Sequence, residues 1–310
     1  MTRPVVCLMG PTASGKTDLA MALSRDFPLD IVSVDSAMIY RGMDIGSAKP
    51  TAEELACAPH RLVDIIEASD SYSAANFVKD AKREIADIHK AGRVPLLVGG
   101  TMLYFKALQQ GLHPLPEASV ELREQITAEL DTQGWQAMHR YLQSIDPEAA
   151  VRIALNDRQR LIRAIEVYRM TGISLSEHWQ FQSREPHDYD FVSLALFPEQ
   201  RHLLHQRIEG RFERMLEQGL LDECQELIRR FGLNAQYPAM RSVGYRQVMA
   251  YLDGEYDKAT MIAKAVVATR QLAKRQLTWL RRWESIRYYD PFISGFEQEI
   301  AADLARLLVF

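Results

Sequence analysis

Near the start of the chain Gly10-Pro11-Thr12-Ala13-Ser14-Gly15-Lys16-Thr17 fits the pattern G-x-x-x-x-G-K-[ST]. An apolar run, Val5 to Met9, precedes it and an amphipathic stretch, Lys16 to Phe27, follows. That is the strand, loop and helix order a phosphate-binding loop requires. Its glycines let the backbone turn N–H groups inward, and the helix start adds positive dipole. Lys16 contributes a point charge, and the Thr17 hydroxyl can ligate magnesium. Such a loop holds a di- or triphosphate, whether the reaction moves a phosphoryl group or expels pyrophosphate.

Neighbouring residues bear on that choice. Asp35 ends a second run, Ile31 to Val34, so its carboxylate is expected at the carboxyl edge of the sheet, beside the phosphate loop. There it can act as a general base or magnesium holder, or simply cap a turn. A further run, Val94 to Val98, leads into Gly99-Gly100-Thr101 without an aspartate at its end. Many nucleotide hydrolases carry a magnesium-binding carboxylate at that point, so hydrolysis is disfavoured. The two glycines permit close backbone approach to a ligand, with the Thr101 hydroxyl as an oxyanion contact or a helix cap. Tyr40 to Pro50 reads as a loop that shapes a pocket or merely connects elements. None of the eight histidines forms an H-x-x-x-H or H-E-x-x-H pair, and G-x-S-x-G is absent, against a catalytic zinc or a nucleophile elbow.

The elements that must hold these residues alternate. Strands are expected at Val5–Met9, Ile31–Val34, Leu62–Ile65 and Val94–Val98, with helices at Lys16–Phe27, Ser73–Lys90 and Met102–Gln110. That rhythm predicts an α/β fold, a parallel sheet of the phosphate-loop type flanked by helices. From His113 the strand signal stops and helix-like segments follow one another to about residue 186, an all-helical insertion. A strand at Phe191–Phe197 and further helices return the chain to the first domain. The expected division is a core of 1–112 and 190–310 with an insertion at 113–189.

With 310 residues, 47% hydrophobic and 25% charged, the chain has a globular composition, without the run of about 20 apolar residues that spans a membrane. Three dispersed cysteines fit a reducing, cytoplasmic setting. The net charge of −4 conceals three arginine-rich patches, at 152–169, at 241–246 and on a helix from about Ala259 to Trp283. A helical wheel of that last segment puts Ile262, Val266, Leu272, Ala273, Leu277, Trp279, Leu280 and Trp283 on a core side. Two cationic rows face away, Lys264, Arg275 and Arg282 in one, Arg270, Lys274 and Arg281 in the other. Such rows suit RNA phosphates, and Tyr245 beside Arg241 and Arg246 would add a stacking surface, although solvated charged faces are also common.

Taken together these segments resemble the tRNA dimethylallyltransferase (isopentenyltransferase) family. The resemblance rests on GPTASGKT at 10–17, DSAMIYRGMDIGSAKP at 35–50, PHRLVDI at 59–65, YSAANF at 72–77, PLLVGGTMLYFKAL at 95–108, NDRQRLIRAIEVY at 156–168, RSVGYRQ at 241–247 and TRQLAKRQLTWLRRW at 269–283. Met38 and Ser47 stand where many members have Gln and Thr. The resemblance implies transfer of a dimethylallyl group from dimethylallyl diphosphate to the exocyclic amine of the adenine 3′ of the tRNA anticodon. Gly10 to Thr17 would grip the diphosphate with Arg207 or Arg211, Thr17 would help hold Mg2+, and Asp35 would take the amine proton. Lys16 and Thr101 complete the implied catalytic group. Contacts to tRNA would come from Asp35, Ser36, Ala37, Met38, Thr101, Arg123, Gln159, Arg160, Leu161, Ile162, Arg163, Arg241, Ser242, Val243, Gly244, Tyr245, Arg246, Lys274, Arg275 and Arg281. The helical insertion would share in them, and the protein is expected to act as a monomer. An ATP-dependent small-molecule kinase and a non-catalytic, nucleotide-dependent RNA-binding switch are the alternatives.

Overall fold

The computed structural model describes residues 3–112, 115, 116, 118–180 and 189–308. The chain divides into two compact units, Met1–Gln109 with His187–Phe310, and Gln110–Pro186. The expected boundary residue His113 lies outside the described residues.

In the first unit β1 (Arg3–Met9) leads to α1 (Lys16–Asp26) and β2 (Leu29–Val34), followed by α2 (Ala52–Cys57), β3 (His60–Arg61), α3 (Ala74–Lys90), β4 (Val94–Gly99) and α4 (Met102–Gln110). In the second unit helices alone occur among the described residues: α5 (Val120–Gln133), α6 (Trp135–Ile145), α7 (Pro147–Arg152), α8 (Arg158–Thr171) and α9 (Leu175–Gln180). The first unit resumes with β5 (Tyr189–Leu196), α10 (Arg201–Glu217), α11 (Leu220–Phe231), α12 (Tyr245–Leu252), α13 (Lys258–Leu280), β6 (Ile286–Tyr289) and α14 (Phe296–Leu307).

The sheet order is β3-β2-β4-β1-β5-β6, every pairing parallel. Both faces of a parallel sheet are covered by helices, so its central strands must be apolar on both sides. Val5 to Met9 are accordingly all buried, as is every residue of β4. One face of the sheet packs on α1 and α14, the other on α3, α4 and α10–α13. The second unit has its own apolar core around Ile126, Leu142, Leu161 and Ile165. Among the described residues no helix is long and apolar enough to cross a membrane.

Two sequence expectations need correction. The strand expected at Leu62–Ile65 is instead the two-residue β3, because Leu62 and Asp64 adopt positive φ of 59° and 55°, which ends strand pairing. The wheel of α13 is also rotated in part. Trp279 is 38% exposed, whereas Gln276, with no apolar content to recommend it, is buried.

Candidate active site

The carboxyl ends of β1, β2 and β4, adjacent in the sheet, bring the phosphate loop, Asp35 and Thr101 to one edge. The loop turns through positive φ at Ala13 (62°) and Gly15 (89°) before α1 begins at Lys16. That turn leaves the first N–H groups of the helix pointing to the same opening as the lysine. Lys16 Nζ donates to the Pro11 carbonyl at 2.6 Å and lies 3.4 Å from Ser14 Oγ. Burial and, next, the Arg211 cation lower its pKa to about 7, while Asp35 pulls the other way. The Thr17 hydroxyl, in the first turn of α1, makes no hydrogen bond among the described residues, so its lone pairs are available to a ligand.

Arg207 and Arg211 stand one turn apart on α10 and both reach this edge. Arg207 lies over the Phe292 ring at 4.3 Å, with a guanidinium nitrogen 3.8 Å from where a side chain on Gly15 would begin. Arg211 donates to the Ser47 carbonyl at 3.5 Å, and burial lowers its pKa against the opposing pull of Asp35. Lys16, Arg211 and Asp35 thus form one electrostatic group, with Arg207 flanking the loop.

Asp35 does two things. Its Oδ1 accepts from the backbone N–H groups of Ala37 (2.8 Å) and Met38 (3.3 Å), the turn-capping use of an aspartate. Its Oδ2 has no hydrogen-bond partner among the described residues. Across the edge Thr101 Oγ1 accepts from Ser36 N–H at 3.2 Å and lies 3.4 Å from Ser36 Oγ. Thr101 is therefore fixed against the Asp35 turn. Met38 presents its sulfur to Ser33 Oγ at 3.9 Å, a weak contact.

Three residues that sequence reading passed over hold this arrangement. Gln276, on α13, accepts from Thr12 N–H and donates to the Gly100 carbonyl, both at 2.9 Å, so that one side chain links the phosphate loop to the end of β4. Gly100 makes room for it: a Cβ there would lie 2.3 Å from Gln276 Nε2. The signal was present as a polar residue among Ala273, Leu277 and Leu280 on the core side of the wheel. Glu223, on α11, accepts from the N–H groups of Asp44 (2.9 Å), Ile45 (2.7 Å) and Gly46 (3.1 Å) and from Tyr245 Oη (2.6 Å). Lys49 is almost wholly buried and donates to the Tyr40 carbonyl, Asp44 and Asp64. The loop from Tyr40 to Pro50 is therefore clasped at both ends rather than a plain surface connection.

The candidate RNA-contacting residues differ in what they expose. Gln159, Arg160, Arg241, Arg246, Lys274, Arg275 and Arg281 are exposed, Ile162, Ser242 and Val243 partly so. Leu161 belongs to the core of the second unit, and Gly244 is buried. The stacking surface expected of Tyr245 is not available, since its ring is fully buried and its hydroxyl is committed to Glu223. Arg123 (2.9 and 3.1 Å) and Arg163 (2.6 Å) both pair with Glu166, a fully buried carboxylate that also accepts from Ser119 N–H. Those two arginines have a structural partner already. Arg160 pairs with Asp157 at the start of α8, and Arg270 with Glu209.

Comparison with known proteins places this architecture. The IPP transferase family model matches residues 38–283. The tRNA dimethylallyltransferase of Legionella pneumophila (strain Corby) is 52% identical over 308 residues, 99% of this chain and 98% of its own. The crystal structure of the tRNA isopentenylpyrophosphate transferase of Bacillus halodurans is similar with 36% identity and a TM-score of 0.73, covering 99% of this chain and 97% of that one. A eukaryotic dimethylallyltransferase acting on tRNA shares the fold at a TM-score of 0.80 and 24% identity, covering 99% of this chain and 80% of its own. The chain belongs to the tRNA dimethylallyltransferase, or IPP transferase, family.

Proposed function

We propose that this protein transfers the dimethylallyl group of dimethylallyl diphosphate to the exocyclic amine of the adenine 3′ of the tRNA anticodon, releasing diphosphate. The observation that supports this reading best is the grouping of Lys16 and Arg211 with an Asp35 whose Oδ2 is free, at the edge that also carries the phosphate loop. Cations meet the leaving group and a carboxylate meets the nucleophile.

In the reaction the amine nitrogen bonds to the allylic carbon as the carbon–oxygen bond to diphosphate breaks. Negative charge grows on the departing oxygens, where the loop N–H groups, Lys16, Arg207 and Arg211 are fixed before the reaction starts. An adenine amine is a weak nucleophile, its lone pair delocalised into the ring. Asp35 Oδ2 orients it and accepts its proton, while Oδ1 stays on the two backbone donors. Thr101, held by Ser36, lines the channel between the two substrates. The target base leaves its stack to reach this edge, and Asp35 to Met38 wall its pocket.

No group of three or more His, Cys, Asp or Glu side chains suited to a metal occurs among the described residues. The free Thr17 hydroxyl fits a magnesium ion carried in by the diphosphate, which needs few protein ligands. Bound there, magnesium would supply charge neutralisation on the leaving group. Exposed Arg160, Arg241, Arg246, Lys274, Arg275 and Arg281 serve the RNA backbone.

Mass spectrometry of an anticodon stem-loop RNA incubated with the protein, magnesium and dimethylallyl diphosphate tests the reading. Gain of one five-carbon prenyl unit on that adenine, with no requirement for ATP, is expected. An unmodified RNA alongside phosphate transfer from ATP would instead make the protein a kinase. Tight RNA binding with neither reaction would make it a switch.

A further inference from the structure

We infer that Gln276 is a positioning residue through which RNA docked on α13 sets the geometry of the diphosphate loop. The inference rests on the reading above for the identity of the two substrates. Its physical basis is the double hydrogen bond of one buried amide: Oε1 to Thr12 N–H within the phosphate loop, Nε2 to the Gly100 carbonyl one residue before Thr101. The amide gives the Thr12 N–H its one acceptor among the described residues and adds a second donor to the Gly100 carbonyl, which also accepts from Met102 N–H at 3.1 Å, so its loss would leave a donor of the phosphate loop unpaired, at a cost. The lack of a side chain at Gly100 is what admits it.

Gln276 differs from its neighbours on the helix in direction. Lys274 and Arg275, immediately before it, are exposed, as is Thr278 just after, so the same turn offers cations to the outside and an amide to the catalytic edge. A helix is stiff over a turn, with its backbone hydrogen-bonded throughout. Displacement or ordering of this turn by RNA phosphates therefore moves the Gln276 amide, and with it the Thr12 and Gly100 backbone. Thr12 belongs to the segment that wraps the diphosphate. Gly100 leads into Thr101, whose hydroxyl rests on the Asp35 turn through Ser36. One side chain thus reports RNA docking to both the leaving-group site and the proton-accepting site, and linkage requires that each ligand then change the affinity of the other.

The test compares the native chain with Gln276→Met, which keeps length and removes both bonds, and Gln276→Glu, which keeps the acceptor for Thr12 N–H and loses the donor to Gly100. Calorimetry gives the Kd of magnesium pyrophosphate with and without a saturating anticodon stem-loop RNA, and a prenylation assay gives kcat and KM for both substrates. In the native chain the RNA is expected to tighten pyrophosphate about tenfold. In Gln276→Met that factor should fall to within about twofold of unity, with either ligand alone binding within about threefold of native and kcat reduced by roughly ten- to a hundredfold. Should Gln276→Met fail to fold, Gln276→Glu carries the same expectation for the coupling factor. A native chain without coupling, or a folded variant that retains it, overturns the inference. Absence of any prenylation by the native chain refutes the proposed function instead, so the two failures are distinct.

Discussion

Replacing Lys16 by Met should make the free protein more stable while crippling its hold on diphosphate. A lysine in the unfolded chain titrates at 10.5, whereas in the empty loop burial and the Arg211 cation hold it at about 7. Each tenfold loss of proton affinity corresponds to about 1.4 kcal/mol, so near pH 7 the buried charge removes up to about 4 kcal/mol from folding. Part of the side chain still meets solvent, which brings the expected figure to about 2–4 kcal/mol. The sign follows from proton binding. Between about 7 and 10.5 the unfolded chain holds a proton that the folded chain does not, so the deficit is full below that window and disappears as pH rises through it. Gln, Met or any neutral residue at 16 escapes the deficit. Scanning calorimetry at pH 7 should show Lys16→Met melting roughly 3–8 °C above native, with the gap narrowing by pH 9. Titration with magnesium pyrophosphate should show binding weakened by about 10²-fold, the loss of a charge-assisted phosphate contact. Native protein should also take up a proton on binding pyrophosphate above neutral pH, visible as a heat that depends on the buffer. A variant that melts at or below the native temperature at pH 7 would show that the ammonium is well solvated and would refute the electrostatic account of the loop.

Asp35→Ala should lower kcat by about two to four orders of magnitude in the prenylation assay while RNA affinity moves little; equal losses in both would make Asp35 a docking residue. Tyr245→Phe should cost about 1–2 kcal/mol of stability by leaving Glu223 one donor short, with RNA affinity unchanged by filter binding; an RNA defect at native stability would contradict its buried placement. Glu166→Ala leaves Ser119 N–H without its acceptor and removes the carboxylate shared by Arg123 and Arg163, and should destabilise the helical unit by about 1–3 kcal/mol, read as early protease cleavage within that unit. Lys274→Ala should weaken RNA binding and reduce the slope of log K against log salt by about one, whereas an unchanged slope would remove that side chain from the phosphate contacts.

Much of this was legible because the decisive residues are local in sequence. A glycine-rich loop between an apolar strand and a helix, and an aspartate or a threonine just past strand ends, are written in consecutive positions, and sheet order then brings them together. What escaped notice depends on residues far apart. Gln276 meets Thr12 and Gly100 across 264 and 176 positions, and Glu223 meets Gly46 across 177, distances at which periodicity has nothing to say. Arginine clusters are less legible for a different reason. Counting them finds positive charge in the helical insertion, but Arg163 of that cluster, like Arg123 outside it, pairs with the buried Glu166, and such a partner becomes visible only in the packing. Tyr245 sat between two exposed arginines in sequence and still turned inward, since the first turn of α12 faces both ways.

The Glu223 carboxylate, seated on three successive amide groups, occupies the sort of concave donor set that elsewhere captures a free anion. Because the chain supplies its own anion there, the Asp44 to Gly46 segment gives up its conformational entropy when the protein folds and not when substrate arrives. A graft of the Tyr40 to Pro50 loop into a scaffold lacking an acid at the position of Glu223 should consequently yield a segment that samples many conformations, with amide hydrogen exchange at residues 44–46 faster than in this protein.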